Sequence, residues 1–226
     1  MNKPPAFRIR ERSGFRWLQF RPLDEIGGTE HGFSLRDDRF LGRISSSPFL
    51  FLKEMDVVRC QSAALTNQVH GAEVAVVDRP GKTGGADGLL TDRPGLLLVG
   101  FAADCLLVFL ADPVRRAVGI VHAGRRGTEL GIAAAAMGRM AETFGSDPSS
   151  CRAFFSPGIE PCCYELDLVE ENRRQLEKLG LKKVEAAGLC TKCRAELFYS
   201  WRRGDREKRM VGWIGISVKE VVSPDT

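Results

Sequence analysis

Histidine is scarce in this sequence, and the marks of several protein classes are absent. Among 226 residues there are three histidines, His31, His70 and His122, and only two tyrosines. No apolar run approaches the roughly 20 residues that a membrane span requires. The basic start of the chain lacks the apolar segment of a secretory signal. We therefore predict a cytoplasmic protein with no membrane partner.

The chain also lacks a large excess of either positive or negative charge. The chain carries 33 basic and 29 acidic residues, and the resulting net charge is +4. Domains that bind nucleic acid instead cluster their basic residues on one face or along one helix. The scattered charges here predict no nucleic-acid partner.

The seven cysteines are an odd number, which favours free thiols in a reducing compartment over a disulfide framework. Four of them form two short patterns, Cys162 beside Cys163 and Cys190 three residues before Cys193. A second zinc site built from these four is an alternative. A lone C-x-x-C pattern is weak, however, and adjacent cysteines seldom both reach one ion. We therefore expect these four cysteines to be structural thiols.

Strands and helices alternate along the chain, which predicts a single α/β domain over residues 1–226. Three almost continuously apolar runs have the pattern of strands buried on both faces: 96–103, 106–111 and 117–121. Further strands are predicted at 15–20, 31–36, the end of 57–69, 73–78, 151–155 and 211–218. Helices are predicted at 49–55, at 128–144 and from the capping residue Asp167 to residue 179. Loops are predicted at 37–48 and at the glycine-rich segment 79–88, which lacks the spacing of a phosphate-binding motif.

Three side chains that bind soft metals lie at the predicted ends of structural elements. Cys105 follows the first apolar run, His122 ends the third, and His70 lies earlier, in NQVHG. Taken singly, a histidine is more often a hydrogen-bonded structural residue, and a cysteine is more often part of the core. Together, one cysteine and two histidines leave a fourth position open on a tetrahedral zinc ion, as catalytic sites do. The three residues therefore predict a catalytic zinc site.

A series of short motifs resembles the signatures of the laccase-domain family. In order, they are NQVHG, GADGLLTD, ADC, HAGRRG, PGIEPCCYEL, and LCT before LFYSWRR. The resemblance implies an α/β/β/α sandwich, with mixed β-sheets inside and helices outside. It also implies a zinc-dependent purine nucleoside phosphorylase with adenosine deaminase activity, acting on adenosine, inosine or S-methyl-5′-thioadenosine. Carried over by position, the family's zinc ligands are His70, Cys105 and His122, whereas Arg125 stands where the family usually has an aromatic residue.

The implied reactions assign expected roles to four more residues. Attack of phosphate on the nucleoside needs cations, for which Arg126 and Arg202 are candidates. Deamination of adenine needs a carboxylate that moves protons, and Asp87 or Asp104 can serve. Asp104 can instead orient a metal ligand. The expected cofactor is zinc, with copper as a substitute, and the expected oligomeric state is a monomer or a homodimer.

Three alternatives stay open at the level of sequence. In a metal-free thiol hydrolase or deamidase, Cys105 would be the nucleophile and His122 its base. A multicopper oxidase is disfavoured because three histidines cannot supply its imidazole ligands. The third is a binding module that keeps the metal without catalysis. His31 has no predicted role.

Overall fold

Two β-sheets packed face to face form the centre of the protein in a computed structural model, which describes residues 5–218. The strands in this range are β1 (Phe7–Arg12), β2 (Phe15–Phe20), β3 (Thr29–Ser34), β4 (Ser62–Leu65), β5 (Val74–Val76), β6 (Gly81–Lys82), β7 (Gly88–Thr91), β8 (Leu96–Ala102), β9 (Leu106–Asp112), β10 (Ala117–Ala123), β11 (Arg152–Phe155), β12 (Lys183–Ala186) and β13 (Met210–Ile216). The α-helices are α1 (Arg21–Asp24), α2 (Leu41–Ser46), α3 (Pro48–Glu54), α4 (Arg125–Glu129), α5 (Ile132–Phe144) and α6 (Leu168–Lys178), and a 3₁₀ helix spans Trp201–Arg203.

Each sheet is mixed. Sheet A has the strand order β1-β2-β3-β13-β8-β4-β6, and sheet B has the order β12-β11-β9-β10-β7-β5. Most neighbouring strands are antiparallel, but β4 runs parallel to β6 and β8, β5 to β7, and β11 to β12. The chain crosses from sheet A to sheet B in the short turn between β8 and β9. This crossing brings the ends of both sheets together at one place.

Apolar side chains of both sheets fill a shared core. Phe20 of sheet A stacks on Phe154 of sheet B, with ring centroids 4.1 Å apart. Strands β9 and β10 are buried along their whole length, as predicted for strands covered on both faces. Helices α5 and α6 cover the outer face of sheet B, whereas α2 and α3 cover sheet A. The layers are therefore α/β/β/α, which confirms the predicted fold class.

The helix predicted at 128–144 is in fact two helices. Gly131 adopts a left-handed conformation with φ of +81°, and this residue separates α4 from α5. The helical period predicts Leu130 and Met137 on one apolar face, but because of this break only Met137 is buried, and Leu130 is 57% exposed. The side chains of α5 that are buried against sheet B are Ile132, Ala133, Ala136, Met137 and Met140. Gly145 ends α5 with φ of +68°, as predicted.

Other differences from the predicted elements are local. Helix α2 lies inside the predicted loop 37–48, and strand β6 lies inside the predicted loop 79–88. The strands β7 and β12, of four residues each, were not predicted. The N-terminus of α6 agrees with the prediction, since the Asp167 side chain accepts a hydrogen bond from the Glu170 N–H. Within residues 5–218, no helix has both the length and the apolar character needed to cross a bilayer.

Candidate metal centre and active site

Two imidazoles and a thiol converge where the chain crosses between the sheets. The donor atoms of His70, Cys105 and His122 all lie within 4.8 Å of one another. Cys105 is in the turn between β8 and β9, His122 is next to the last residue of β10, and His70 is in the loop before β5. The two imidazole rings meet edge to face, with centroids 4.9 Å apart. The structure thus brings together the three predicted ligands, which are separated by up to 52 positions in the chain.

Asp87 organises two of these three ligands from behind. Its Oδ1 lies 2.8 Å from Nδ1 of His122 and accepts the backbone N–H of His70 at 3.0 Å. Its Oδ2 accepts the backbone N–H groups of Val69 and Gly71. Burial raises the pKa of Asp87, but the hydrogen bonds from His122, Gly71 and Val69 outweigh burial and lower it. The ionised carboxylate therefore orients His122 with Nε2 free, the usual outer-shell support of a metal-binding histidine.

The glycines of the HAGRRG motif allow the close approach of the donors. A Cβ on Gly124 would lie 2.9 Å from Sγ of Cys105 and 3.4 Å from Cδ2 of His70. A Cβ on Gly127 would lie 2.8 Å from the carbonyl oxygen of Gly71, next to His70. Only glycine fits at these positions without moving the cluster.

Two of the five non-glycine residues with positive φ among the described residues lie at this site. His70 and Asp104 both have positive φ, of 59° and 80°. Non-glycine residues in this region cost about 1 kcal/mol or more and persist where the surroundings impose them. Here the hydrogen bonds to Asp87 hold His70, and the hydrogen bonds of the Asp104 carboxylate hold the turn that presents Cys105.

Asp104 also acts as a connector. Its Oδ1 accepts the hydroxyl of Thr191 and its Oδ2 accepts the backbone N–H of Arg202, both at 2.8 Å. Asp87 and Asp104 are therefore engaged at both carboxylate oxygens, and only Asp104 lines the cavity in front of the cluster. This geometry favours positioning over proton transfer for both carboxylates.

The ionisation of Cys105 and His122 follows from burial. Burial and the adjacent Asp104 raise the pKa of the Cys105 thiol to about 11. Burial also lowers the pKa of His122, despite the opposing hydrogen bond to Asp87. Without a bound cation, Cys105 is a protonated thiol and His122 is a neutral imidazole. A thiol in this state is a poor nucleophile, whereas a coordinating thiol is deprotonated by the metal ion.

A cavity of about 570 Å³ opens in front of the three donors. Four arginines line it: Arg125, Arg126, Arg202 and Arg209. Aromatic rings also line it, at Phe101, Tyr164 and Trp201. The guanidinium carbon of Arg202 lies 4.2 Å from the centre of the Tyr164 ring, and that of Arg209 lies 5.1 Å from the centre of Trp201. The cavity therefore offers positive charge and flat apolar surfaces together.

The predicted residues Arg126 and Arg202 both line this cavity, but sequence reasoning missed Arg209, Tyr164, Trp201 and Phe101. Arg209 directly precedes β13, whose pairing with β8 brings it to the site. No local motif marks this position. Tyr164 and Trp201 do lie in two of the family-like motifs, PCCYEL and FYSWRR, and those motifs were the available signal.

Arg125 is not equivalent to the other three arginines. It donates to Glu129 at 2.9 Å and to Glu165 at 2.6 Å, so its charge is matched by two carboxylates. Within residues 5–218, no carboxylate forms an ion pair with Arg126, Arg202 or Arg209. These three remain the cations available to an anionic substrate.

The third histidine and the four cysteines of the C-C and C-x-x-C patterns lie apart from this cluster. His31 is buried between the sheets, where its Nε2 accepts the backbone N–H of Phe20, so it is a structural histidine. Cys162, Cys163, Cys190 and Cys193 form a second group whose sulfurs all lie within 4.8 Å of one another. Adjacent cysteines seldom both reach one ion, but here both Cys162 and Cys163 belong to this group, in a turn where the Cys163 N–H donates to the carbonyl oxygen of Glu160.

Comparison with known proteins agrees with this architecture. The sequence model of the family described as multi-copper polyphenol oxidoreductase laccase matches residues 48–167 and 165–217. A Streptomyces coelicolor protein named as a purine nucleoside phosphorylase is 34% identical, over 84% of this chain and 97% of its own length. The crystal structure of YlmD from Geobacillus stearothermophilus has a TM-score of 0.81 at 25% identity, covering 95% of this chain and all of the other. The hypothetical protein YfiH of Bacillus licheniformis has a TM-score of 0.79 at 28% identity, covering 94% and 99% of the two chains.

Proposed function

Since the chain belongs to the multi-copper polyphenol oxidoreductase laccase family, whose relatives include proteins named as purine nucleoside phosphorylases, we propose that it is a zinc-dependent enzyme of that activity. One observation carries the proposal: two imidazoles and a thiol converge at the base of a cavity that is lined by aromatic rings and by three arginines with no ion pair among residues 5–218. The substrates are purine nucleosides, namely adenosine, inosine or S-methyl-5′-thioadenosine, and inorganic phosphate. The products are the free base and the corresponding ribose 1-phosphate.

The donor set of His70, Cys105 and His122 fits zinc. Two nitrogens and one sulfur suit a borderline-soft ion, and three protein ligands leave a fourth position toward the cavity. Asp87 fixes the tautomer of His122, as outer-shell carboxylates of catalytic zinc sites commonly do. When bound, zinc supplies a Lewis acid at the base of the cavity. Copper is expected only as a substitute, because His31 is in the core and two imidazoles are too few for a multicopper centre.

The arginines provide the phosphate site in this proposal. Arg126 and Arg202 can each present a planar pair of N–H donors to phosphate oxygens, and Arg209 adds a third positive charge. Their combined charge holds phosphate ready to attack C1′ of the nucleoside from one side. The bond between C1′ and the purine nitrogen breaks as the new bond to phosphate oxygen forms.

The aromatic rings provide the base site. Trp201 is 46% exposed at the cavity, and Tyr164 and Phe101 lie on other parts of its wall. Stacking on such rings contributes about 1–3 kcal/mol per base. These rings can take the place of the aromatic residue that the family usually has at Arg125. The departing base carries negative charge, which the arginine-rich wall stabilises.

Adenosine deamination is proposed as a second activity of the same site. Of the two carboxylates predicted to move protons, Asp104 is the one at the cavity wall, and it would have to exchange a present hydrogen bond for one to substrate. Asp87, which is fully buried, supports this reaction only by orienting His122.

A metal-free thiol hydrolase is the competing function, and the site disfavours it. Its thiolate would need a raised proton affinity at His122 and a lowered one at Cys105, whereas burial has the opposite effect on both pKa values. Alkylation separates the two functions. A free nucleophilic Cys105 reacts rapidly in native protein, whereas a metal-bound Cys105 reacts only after a chelator is added.

The test is product analysis by liquid chromatography with metal quantitation on the same sample. We expect adenosine and inosine to yield adenine and hypoxanthine only when phosphate is present, and chelation to abolish this yield. Inosine formed from adenosine without phosphate would report deamination separately. Zinc-loaded protein that turns over none of the three nucleosides would overturn the proposal and favour a binding module.

A further inference from the structure

The four cysteines of the second group lie on two neighbouring loops. Cys162 and Cys163 are in the turn that follows β11, and Cys190 and Cys193 form a C-x-x-C turn after β12. The loops are already joined at their backbones, since the Thr191 N–H donates to the carbonyl oxygen of Gly158 at 2.9 Å. Cys190 is buried, whereas Cys162 and Cys193 are exposed. The group is therefore a surface cluster with one sulfur anchored in the protein.

The spacing of the sulfurs matches tetrahedral thiolate coordination. Sγ of Cys193 lies 3.6 Å from that of Cys162 and 3.5 Å from that of Cys163. With Zn–S bonds of about 2.3 Å, sulfurs at the corners of a tetrahedron are roughly 3.8 Å apart. All four sulfurs fall within 4.8 Å of one another, so one ion can contact all of them after small side-chain rotations.

The same spacing does not favour a disulfide. A disulfide joins one pair of sulfurs at about 2.0 Å. Here Cys193 is almost equally distant from both members of the adjacent pair, and no pair stands out as bonded. A shared ion uses all four thiols, whereas one disulfide leaves the other two thiols unpaired.

The C-x-x-C turn is held in place by a neighbouring side chain. The Arg203 guanidinium donates to the carbonyl oxygens of Thr191 and Lys192, and it also pairs with Asp205. Lys192 lies within the turn and is exposed. The turn therefore presents Cys190 and Cys193 from a fixed backbone.

We propose that Cys162, Cys163, Cys190 and Cys193 form a structural zinc site, separate from the cluster of His70, Cys105 and His122. All four coordination positions are supplied by protein sulfur, and this closed shell is typical of structural sites. Binding releases the thiol protons to solvent, and no redox change accompanies it.

The site would connect two walls of the cavity. Cys163 directly precedes Tyr164, which contacts Arg202, and Cys190 directly precedes Thr191, which donates to Asp104. Both loops lie outside the named strands and helices and consist mainly of turns. A metal cross-link between residues about 30 positions apart in sequence would restrain both loops in the folded protein.

The experiment compares metal content in the full-length protein and two variants. Wild-type protein, purified without added metal under reducing conditions, is expected to hold about two zinc ions per chain. The double variant Cys162→Ser/Cys193→Ser should hold about one. The control Cys151→Ala removes a buried thiol remote from both clusters and should keep about two. A drop in the double variant with an unchanged control supports the site.

Measurements on wild-type protein test the same site even if the double cysteine variant misfolds. X-ray absorption at the zinc edge should show a mixed shell with a large sulfur share at about 2.3 Å. The His70→Ala/His122→Ala variant, after treatment with a chelator, should keep one zinc ion whose ligands are all sulfur. A disulfide between Cys193 and either neighbour in anaerobically purified wild-type protein, or iron in place of zinc, would overturn the proposal. So would a wild-type shell containing a single sulfur.

Discussion

The two clusters of metal-binding side chains differ in every respect that separates a catalytic from a structural site. Cys105 and His122 lie at strand ends and His70 lies in a loop, all at a cavity of about 570 Å³, with the buried Asp87 carboxylate behind the two histidines. The four cysteines lie on surface turns, with backbone groups and basic side chains around them. The first cluster supplies three donors and the second supplies four. An open position facing a cavity permits chemistry, whereas a closed shell of sulfurs only restrains the chain.

The two regions also depend on each other. The strand ends are rigid because β9 and β10 are buried over their whole length. The cavity walls are loops, and their restraint comes from hydrogen bonds such as Thr191 to Asp104, and by our proposal from a zinc cross-link. The strand ends at the base of the cavity and the loops around it are therefore held in place by different interactions.

Gly124→Ala is expected to have the largest effect, and that effect should fall on the cluster of His70, Cys105 and His122 and not on the four cysteines. The added Cβ would lie 2.9 Å from Sγ of Cys105, so that donor must move. A displacement of this kind should lower phosphorolysis about 100-fold and weaken metal binding at the first cluster. Chelator competition and product assays measure both effects, while the zinc of the four cysteines should stay.

A matched glycine provides the control for that variant. Gly138 lies in α5, and a Cβ added there would meet no atom within 4 Å, so Gly138→Ala should leave metal and activity unchanged. It should raise the free energy of unfolding by about 0.5–1 kcal/mol. Equal metal affinity in Gly124→Ala and wild-type protein would contradict the packing argument.

Asp87→Asn should have a smaller effect on the same cluster. An amide offers one acceptor oxygen in place of two, and its NH₂ would face backbone N–H donors of the 69–71 turn. Zinc affinity at the first cluster should fall about 30-fold. Competition with a chromophoric chelator measures this change. Asp92→Asn, at an exposed position, should bind zinc as wild-type protein does; a similar loss there would show a general charge effect.

Arg126→Gln should leave metal binding at both clusters unchanged. Its effect on catalysis should be the smallest of the three variants. Losing one charged donor to phosphate should raise KM for phosphate about tenfold. Arg125→Gln is the matched control, because Glu129 and Glu165 already balance that charge, and its KM should change less than about threefold. Steady-state rates at varied phosphate distinguish them. A larger effect in Arg125→Gln would reassign the phosphate site.

The sequence predicted the ligands at the base of the cavity better than the residues that line its sides. The strands that carry Cys105 and His122 were predictable because strands buried on both faces leave long apolar runs. The break between α4 and α5 was missed because the helical period continues through Gly131, although this residue adopts a left-handed conformation that interrupts the helix. The role of Asp87 and the position of Arg209 depend on strand pairings that join distant segments, and no local pattern records them.

The amino-acid sequence alone determined the order of the elements, the burial of the central strands and, through short motifs, the identity of the three predicted ligands. Those features depend on local composition and spacing, which the chain carries in any conformation. The tertiary structure alone decided which distant groups meet: Asp87 with His122, Arg209 with the other arginines of the cavity, and four cysteines with one another. Such meetings depend on the packing of one sheet on the other and on the turns between strands, which bring together residues that are far apart in the chain.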